Sequence, residues 1–179
     1  NIFLLIVLTF MPKIIKFKGI SPKIDKSSFI AHGAIIAGDV TISENSGVWF
    51  NCVLRGDVNP ITVGSCTNIQ DGTIIHTSRF DGPTSIGNNV TIGHLALIHA
   101  CTIKNNAFIG MQSTIMDKAM IEEYAFIAAG SLVTPGKIVK SRELWAGSPA
   151  KFIRKIMEEE VRFMQDNIEN YIDLAKEYK

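Results

Sequence analysis

An aliphatic residue returns every six positions along most of this 179-residue chain, and that period leaves few folds open. The series begins Ile24, Ile30, Ile36, Ile42, Val48, Leu54 and resumes after a short insertion as Val63, Ile69, Ile75. After a second insertion it runs Ile86, Ile92, Ile98, then Ile103, Ile109, Ile115, Ile121, Ile127, Val133. Small residues often stand one or four places later, as Gly110 after Ile109 and Ala125 after Ile121. A period of six suits neither a 3.6-residue helix nor a run of independent hairpins. It suits a parallel β-helix, in which three hexads make one triangular coil and each aliphatic side chain points inward from one face. Stacked coils then share strand–strand hydrogen bonds.

The breaks in the period mark departures from the wall. Asp57-Val58-Asn59-Pro60 adds three residues, and Arg79-Phe80-Asp81-Gly82-Pro83 lies in an insertion of five. Gly and Pro identify both as loops. From Ile98 to Ile103 the step is five, so that turn is one residue tight. Pro135, Gly136 and Pro149 close the repeat, and Ser148-Pro149 reads as the N-cap and first position of a helix. Ile153, Ile156, Val161, Met164, Ile168, Tyr171, Ile172 and Ala175 follow at helical spacing between charges. The expectation is an amphipathic helix, broken near Glu158, that packs on the coils or caps a neighbour. The division is residues 1–12 as a non-native or disordered extension, 13–148 as β-helix and 149–179 as C-terminal helix. Ile2 to Leu8 is too short for a bilayer, which needs about 20 apolar residues. It also lacks the basic region and cleavage site of a signal peptide, so it reads as an over-called start before Met11-Pro12 or as an edge strand.

Charge excludes some partners. Lys and Arg number 18 against 17 Asp and Glu, a net charge of +1, which offers no footprint for nucleic acid or an anionic membrane. Cys52, Cys66 and Cys101 are odd in number, widely spaced and without a CxxC. They read as small buried thiols in a reducing, cytoplasmic setting.

Three of the four histidines fall where the repeat stacks them. Leu54, Ile75 and Ile98 are separated by three hexads each, so they share one face on coils about 4.8 Å apart. Arg55, His76 and His99 each come one residue later and form an outward column. His94 stands two places after Ile92, on the preceding face. His76 and His99 are close enough to share an ion, and an adjacent subunit would bring His94 to it if the β-helices trimerise with these faces abutting. Three imidazoles around Zn²⁺ leave a fourth position for water, the arrangement of a catalytic site. That water would ionise near neutral pH and become a nucleophile. Imidazole accepts Fe²⁺ or Co²⁺ as well. His32 stands outside this column and reads as surface.

The residues Trp49-Phe50-Asn51-Cys52-Val53-Leu54-Arg55-Gly56-Asp57, Asn68-Ile69-Gln70-Asp71-Gly72 and the histidine segments carry a resemblance. From about Ile14 to its end the chain resembles the gamma-class carbonic anhydrases, homotrimeric left-handed β-helix proteins with a metal between subunits. The resemblance implies that His76, His94 and His99 ligate zinc, with His94 donated across the interface. It implies that Arg55 and Asp57 pair near that interface, that Gln70 hydrogen-bonds the metal-bound water or hydroxide, and that Asn68 lies nearby. Asp71 reads as structural. The implied chemistry is reversible hydration of CO₂ to bicarbonate by a zinc-bound hydroxide. Two departures bear on its rate: Val58 stands where the family has an acidic residue, and Thr77 to Ser85 offers only Asp81 in place of an acidic proton-shuttle loop. Asn167 and Tyr171 are the polar residues that the C-terminal helix offers the pocket.

Two other functions compete. One is an acyl-CoA thioesterase or hexapeptide acyltransferase, which consumes a CoA thioester and usually needs one catalytic histidine. The other is a non-catalytic metal-binding scaffold subunit, which holds the ion and turns nothing over.

Overall fold

The computed structural model describes residues 11–179, so the apolar run Ile2–Leu8 lies outside the described residues. Short parallel strands, most of two or three residues, stack coil on coil as the hexads require. The first face runs from Lys13–Ile15 through the start of Ile35–Ile42 and of Val53–Val63 to Ile74–His76, Leu97–His99, Thr114–Ile115 and Leu132–Val133. The third face stacks Phe29–Ile30, Gly47–Val48, Asn68–Ile69, Thr91–Ile92, Phe108–Ile109 and Phe126–Ile127.

Each hexad sends two side chains inward. The aliphatic residue and the small residue four places on are both buried, as Ile69 with Thr73, Ile92 with Ala96 and Ile109 with Ser113. The residue between them, three after the aliphatic, turns the corner with positive φ: Asn45, Cys66, Asn89, Leu95, Gln112 and Lys118 among them. A non-glycine residue there costs roughly 1–2 kcal/mol. A fully buried isoleucine returns about 1.5–3 kcal/mol, so every hexad offsets its own corner. At the tight step Ala100 turns the corner and Cys101 takes the inward position. The inward series also runs one hexad beyond Val133, to the buried Val139.

Two expectations need correction. Asp57–Pro60 does not leave the wall as a loop, because Val53–Val63 is one continuous strand. The three extra residues form an irregularity against Ile35–Ile42, where pairing jumps from Gly38↔Gly56 to Val40↔Ile61. The bend is possible only because a Cβ on Gly38 would meet the Gly56 carbonyl oxygen at 2.3 Å, and one on Gly56 would meet that of Asp39 at 2.3 Å. The second insertion does form a loop, closed by the Ser78–Gly82 backbone pair and strapped by Lys118 to Asp81 at 2.6 Å.

The other correction concerns residues 149–157. Ser148 caps no helix; Ala150–Lys155 is a strand that pairs antiparallel with Glu143–Gly147. Glu143–Gly147 is the last strand of the third face, with Leu144 beside Phe126. Its open edge would template further pairing, and the returning strand covers it. The helix runs Glu158–Glu177. It lays Val161 and Met164 against Phe108, Tyr124 and Phe126, and Ala175 against Trp49 and Phe29, so it covers the third face.

Candidate metal centre

The first face brings His76 and His99 into register as ladder neighbours. Nδ1 of His76 faces Nε2 of His99 at 3.2 Å, with the ring centroids 5.3 Å apart. The outer nitrogens are held by carboxylates: Nε2 of His76 lies 3.0 Å from Oδ1 of Asp57, and Nδ1 of His99 pairs with Oδ1 of Asp117. A neutral imidazole carries one N–H, and a carboxylate acceptor draws it to the nitrogen it touches. The two inner nitrogens are then both lone pairs, directed at each other. That arrangement is unfavourable unless a cation lies between them. Zn–N bonds of 2.0–2.1 Å at a tetrahedral angle place two ligand nitrogens about 3.3 Å apart, so the observed separation fits two ligands of one ion.

Asp57 serves both flanks of the column, since its Oδ2 accepts from Nη1 of Arg55 at 2.5 Å. Burial alone would raise the Asp57 carboxyl. The bonds from His76 and Arg55 outweigh it and hold the group below the ordinary carboxylate range.

His94 stands on the third-face side, at the corner before Leu97–His99, and its Nδ1 lies 2.8 Å from Oδ2 of Asp71. A carboxylate thus faces this imidazole too, at ion-pair distance. Among the described residues no group of three or more His, Cys, Asp or Glu side chains within one chain is placed to hold a metal ion. His94 does not join the His76–His99 pair inside its own subunit.

Gln70 and Asn68 are buried on the third face under the helix. Gln70 Nε2 donates to Asn68 Oδ1 at 3.1 Å, and Asn68 Nδ2 donates to Thr91 Oγ1 at 2.9 Å. The Thr91 hydroxyl in turn donates to Oδ1 of Asn167 on the helix at 3.1 Å. Each donor's direction is thereby set, and Gln70 keeps Oε1 as an acceptor. Tyr171 packs edge-on against Trp49 instead of entering this series of bonds.

Large apolar side chains flank the histidines in the open: Ile74 is 46% exposed, Leu95 59% and Leu97 37%. Exposed apolar side chains around polar groups are the composition of an interaction surface. Of the thiols, Cys52 and Cys101 are buried and pushed up to about 12 by desolvation, while Cys66 is only half-buried at its corner.

Asp117 was not visible in the repeat. Asp71, His94 and Asp117 all stand two places after an inward isoleucine (Ile69, Ile92, Ile115), at the start of a corner where side chains turn toward the adjacent coil. A carboxylate at that position, one coil from a histidine, was the available signal.

A family model described as bacterial transferase hexapeptide (six repeats) matches residues 100–135. The chain is 48% identical over 161 residues to gamma carbonic anhydrase 2, mitochondrial, of Arabidopsis thaliana, across 87% of this chain. It spans only 58% of the length of that plant relative. It is 44% identical over 163 residues to a carbonic anhydrase of Geobacillus kaustophilus, across 91% of this chain and 89% of that one. Among solved structures, a hexapeptide transferase family protein from Anaplasma phagocytophilum superposes with a TM-score of 0.90 at 53% identity, over 93% of this chain and 98% of the other.

Proposed function

The chain belongs to the gamma carbonic anhydrase family, and from that premise we propose that it interconverts CO₂ and bicarbonate at a divalent-metal site between subunits of a homotrimer. The observation that carries the reading is the His76–His99 pair, two lone-pair nitrogens 3.2 Å apart with carboxylates behind them. His76 through Nδ1, His99 through Nε2 and the partner subunit's His94 through Nε2 would hold the ion. Zinc is the metal of this reading, and Fe²⁺ or Co²⁺ would satisfy the same imidazoles. A metal ion so held supplies a water acidic enough to ionise near neutral pH.

The chain's own residues do the rest. Gln70 presents Oε1 to accept a hydrogen bond from the attacking water, which aims an oxygen lone pair at the carbon of CO₂. Asn68, Thr91 and Asn167 keep that amide from rotating. Arg55 and Asp57 brace His76. Ile74, Leu95 and Leu97 keep bulk water from the site and give apolar CO₂ a surface. As the C–O bond forms, one proton of the water must depart, so that CO₂ and H₂O become HCO₃⁻ and H⁺. No helix among the described residues is long and apolar enough to cross a membrane. The three free thiols fit a reducing compartment, for which our reading is the cytoplasm.

Acyl transfer from a CoA thioester is favoured by the description of the Anaplasma structure as a hexapeptide transferase. That chemistry needs one histidine base, and it gives no reason for three histidines each backed by an aspartate.

The test is stopped-flow CO₂ hydration on metal-quantified protein, wild type beside His99→Ala. Active wild type with about one ion per chain, and a variant that has lost both ion and activity, supports the hydratase. Wild type that holds metal and hydrates no CO₂ removes it, and thioester hydrolysis and the scaffold role are assayed next.

A further inference from the structure

We propose that Asp117 is a positioning residue of this centre, which fixes His99 in the tautomer that can ligate a metal. The inference rests on the metal-site reading above and concerns a residue outside the ligand set. Ile115 sits inward directly beside Ile98 on the next coil. Asp117 follows two places later and turns back across the step, so that Oδ1 meets Nδ1 of His99. Its backbone is held from both sides: the Lys118 N–H donates to the Ala100 carbonyl at 2.7 Å, and the Gly136 N–H donates to the Asp117 carbonyl at 2.8 Å. Adjacent Lys118 does not draw the carboxylate away, because its amine is engaged by Asp81 at 2.6 Å. The carboxylate is therefore presented to His99 from a rigid corner, not from a mobile loop.

The consequence is chemical. A neutral imidazole without such a partner distributes its proton between Nδ1 and Nε2. A proton on Nε2 of His99 would occupy the atom that faces His76 at 3.2 Å and would block ligation there. Asp117 disfavours that form by accepting a hydrogen bond from Nδ1–H on the far side. Asp57 does the same for His76 but is shared with Arg55, whereas Asp71 approaches His94 Nδ1 only at ion-pair distance, 2.8 Å, and accepts from the Phe50 N–H at 3.2 Å.

The experiment compares wild type, Asp117→Asn and Asp117→Ala. Zinc affinity is measured by competition with a chromogenic chelator, and His99 tautomer by imidazole ¹⁵N chemical shifts of metal-free protein. Wild-type His99 is expected with its proton on Nδ1. The alanine variant should show Nε2–H character and bind zinc about 10–100-fold more weakly, with the asparagine variant between them. A folded alanine variant with unchanged zinc affinity, or an unchanged His99 tautomer, overturns the proposal. Should the alanine variant fail to fold, the asparagine variant is held to the same two criteria. If wild type itself binds no zinc, the metal reading fails, while the tautomer measurement still decides the role of Asp117.

Discussion

Carboxylates near the candidate centre fall into two kinds by what they touch. Asp57, Asp71 and Asp117 each lie against an imidazole, and Asp57 and Asp117 hydrogen-bond to theirs. Asp81, on the loop beside them, faces Lys118; that amine's hydrogen bond holds the Asp81 carboxyl below its ordinary value and raises the lysine. A proton relay works best with a pKa near the operating pH, and this pair has been moved away from neutrality in both directions. Proton export is then expected to pass to dissolved buffer or to another route. Hydration rates of wild type and Asp81→Asn should rise together with imidazole buffer concentration and stay within about twofold of each other. A true acid–base group would show a loss of about 10²–10⁴-fold on removal. Wild-type turnover that ignores buffer, beside a variant that needs it, would return Asp81 to the pathway. The imidazole column itself was legible from the sequence, because His76 and His99 occupy the same slot of hexads on adjacent coils. Of their aspartates, Asp57 was named only as the partner of Arg55, and Asp117 was not named at all. Asp117 sits in a different slot, and its reach across the step depends on the direction a corner side chain takes.

At the scale of elements, period outran local punctuation. Every inward residue from Ile36 to Val133 named from the repeat is buried, because two sides of each coil enforce the same spacing. Ser148-Pro149 is a sound helix-start signal by local chemistry, yet the open edge at Glu143–Gly147 took the following segment as a strand. The helix start is made instead by Glu160, whose Oε2 accepts the Met157 N–H at 2.8 Å and whose two oxygens take the Arg154 guanidinium at 2.7 and 2.8 Å. The Arg154 hydrogen bonds, first among the causes, hold the Glu160 carboxyl below its ordinary 4.5. Its stabilisation is therefore fully present above the ordinary value and is lost as pH falls through the lower folded value. Glu160→Gln should cost about 1 kcal/mol at pH 7, chiefly through the weakened cap, since the exposed arginine adds little after screening. Urea melts at pH 7 and pH 3 check this. The gap between the proteins should narrow at the acid end, and a gap that stays constant would mean that the carboxylate charge plays no part.

For the whole molecule, the question is which subunit supplies His94. Within one chain His94 and Gln70 belong to the third-face side, while His76 and His99 project from the first. Leu95 and Leu97 lie exposed at the corner between the two sides. In the proposed trimer, a closed ring of three copies would abut the third-face side of each subunit with the first face of the next, a heterologous contact repeated by the symmetry. That contact would cover the apolar rim and complete the ligand set in one step. Complementation tests it without reference to catalysis. His94→Ala spoils only sites to which that chain donates across the interface, and His99→Ala spoils only sites on its own first face. Each variant alone should bind no metal at the centre. When the two are unfolded together in equal amounts and refolded, about three quarters of random trimers contain both chains, and each mixed trimer has one junction at which both donors are intact. About a quarter of the wild-type metal content, with matching CO₂ hydration, should therefore reappear. If all three histidines had to come from one chain, no mixture of these variants would contain a complete set. Metal recovery would then remain at zero, and the shared site would be wrong even if the enzyme is a carbonic anhydrase.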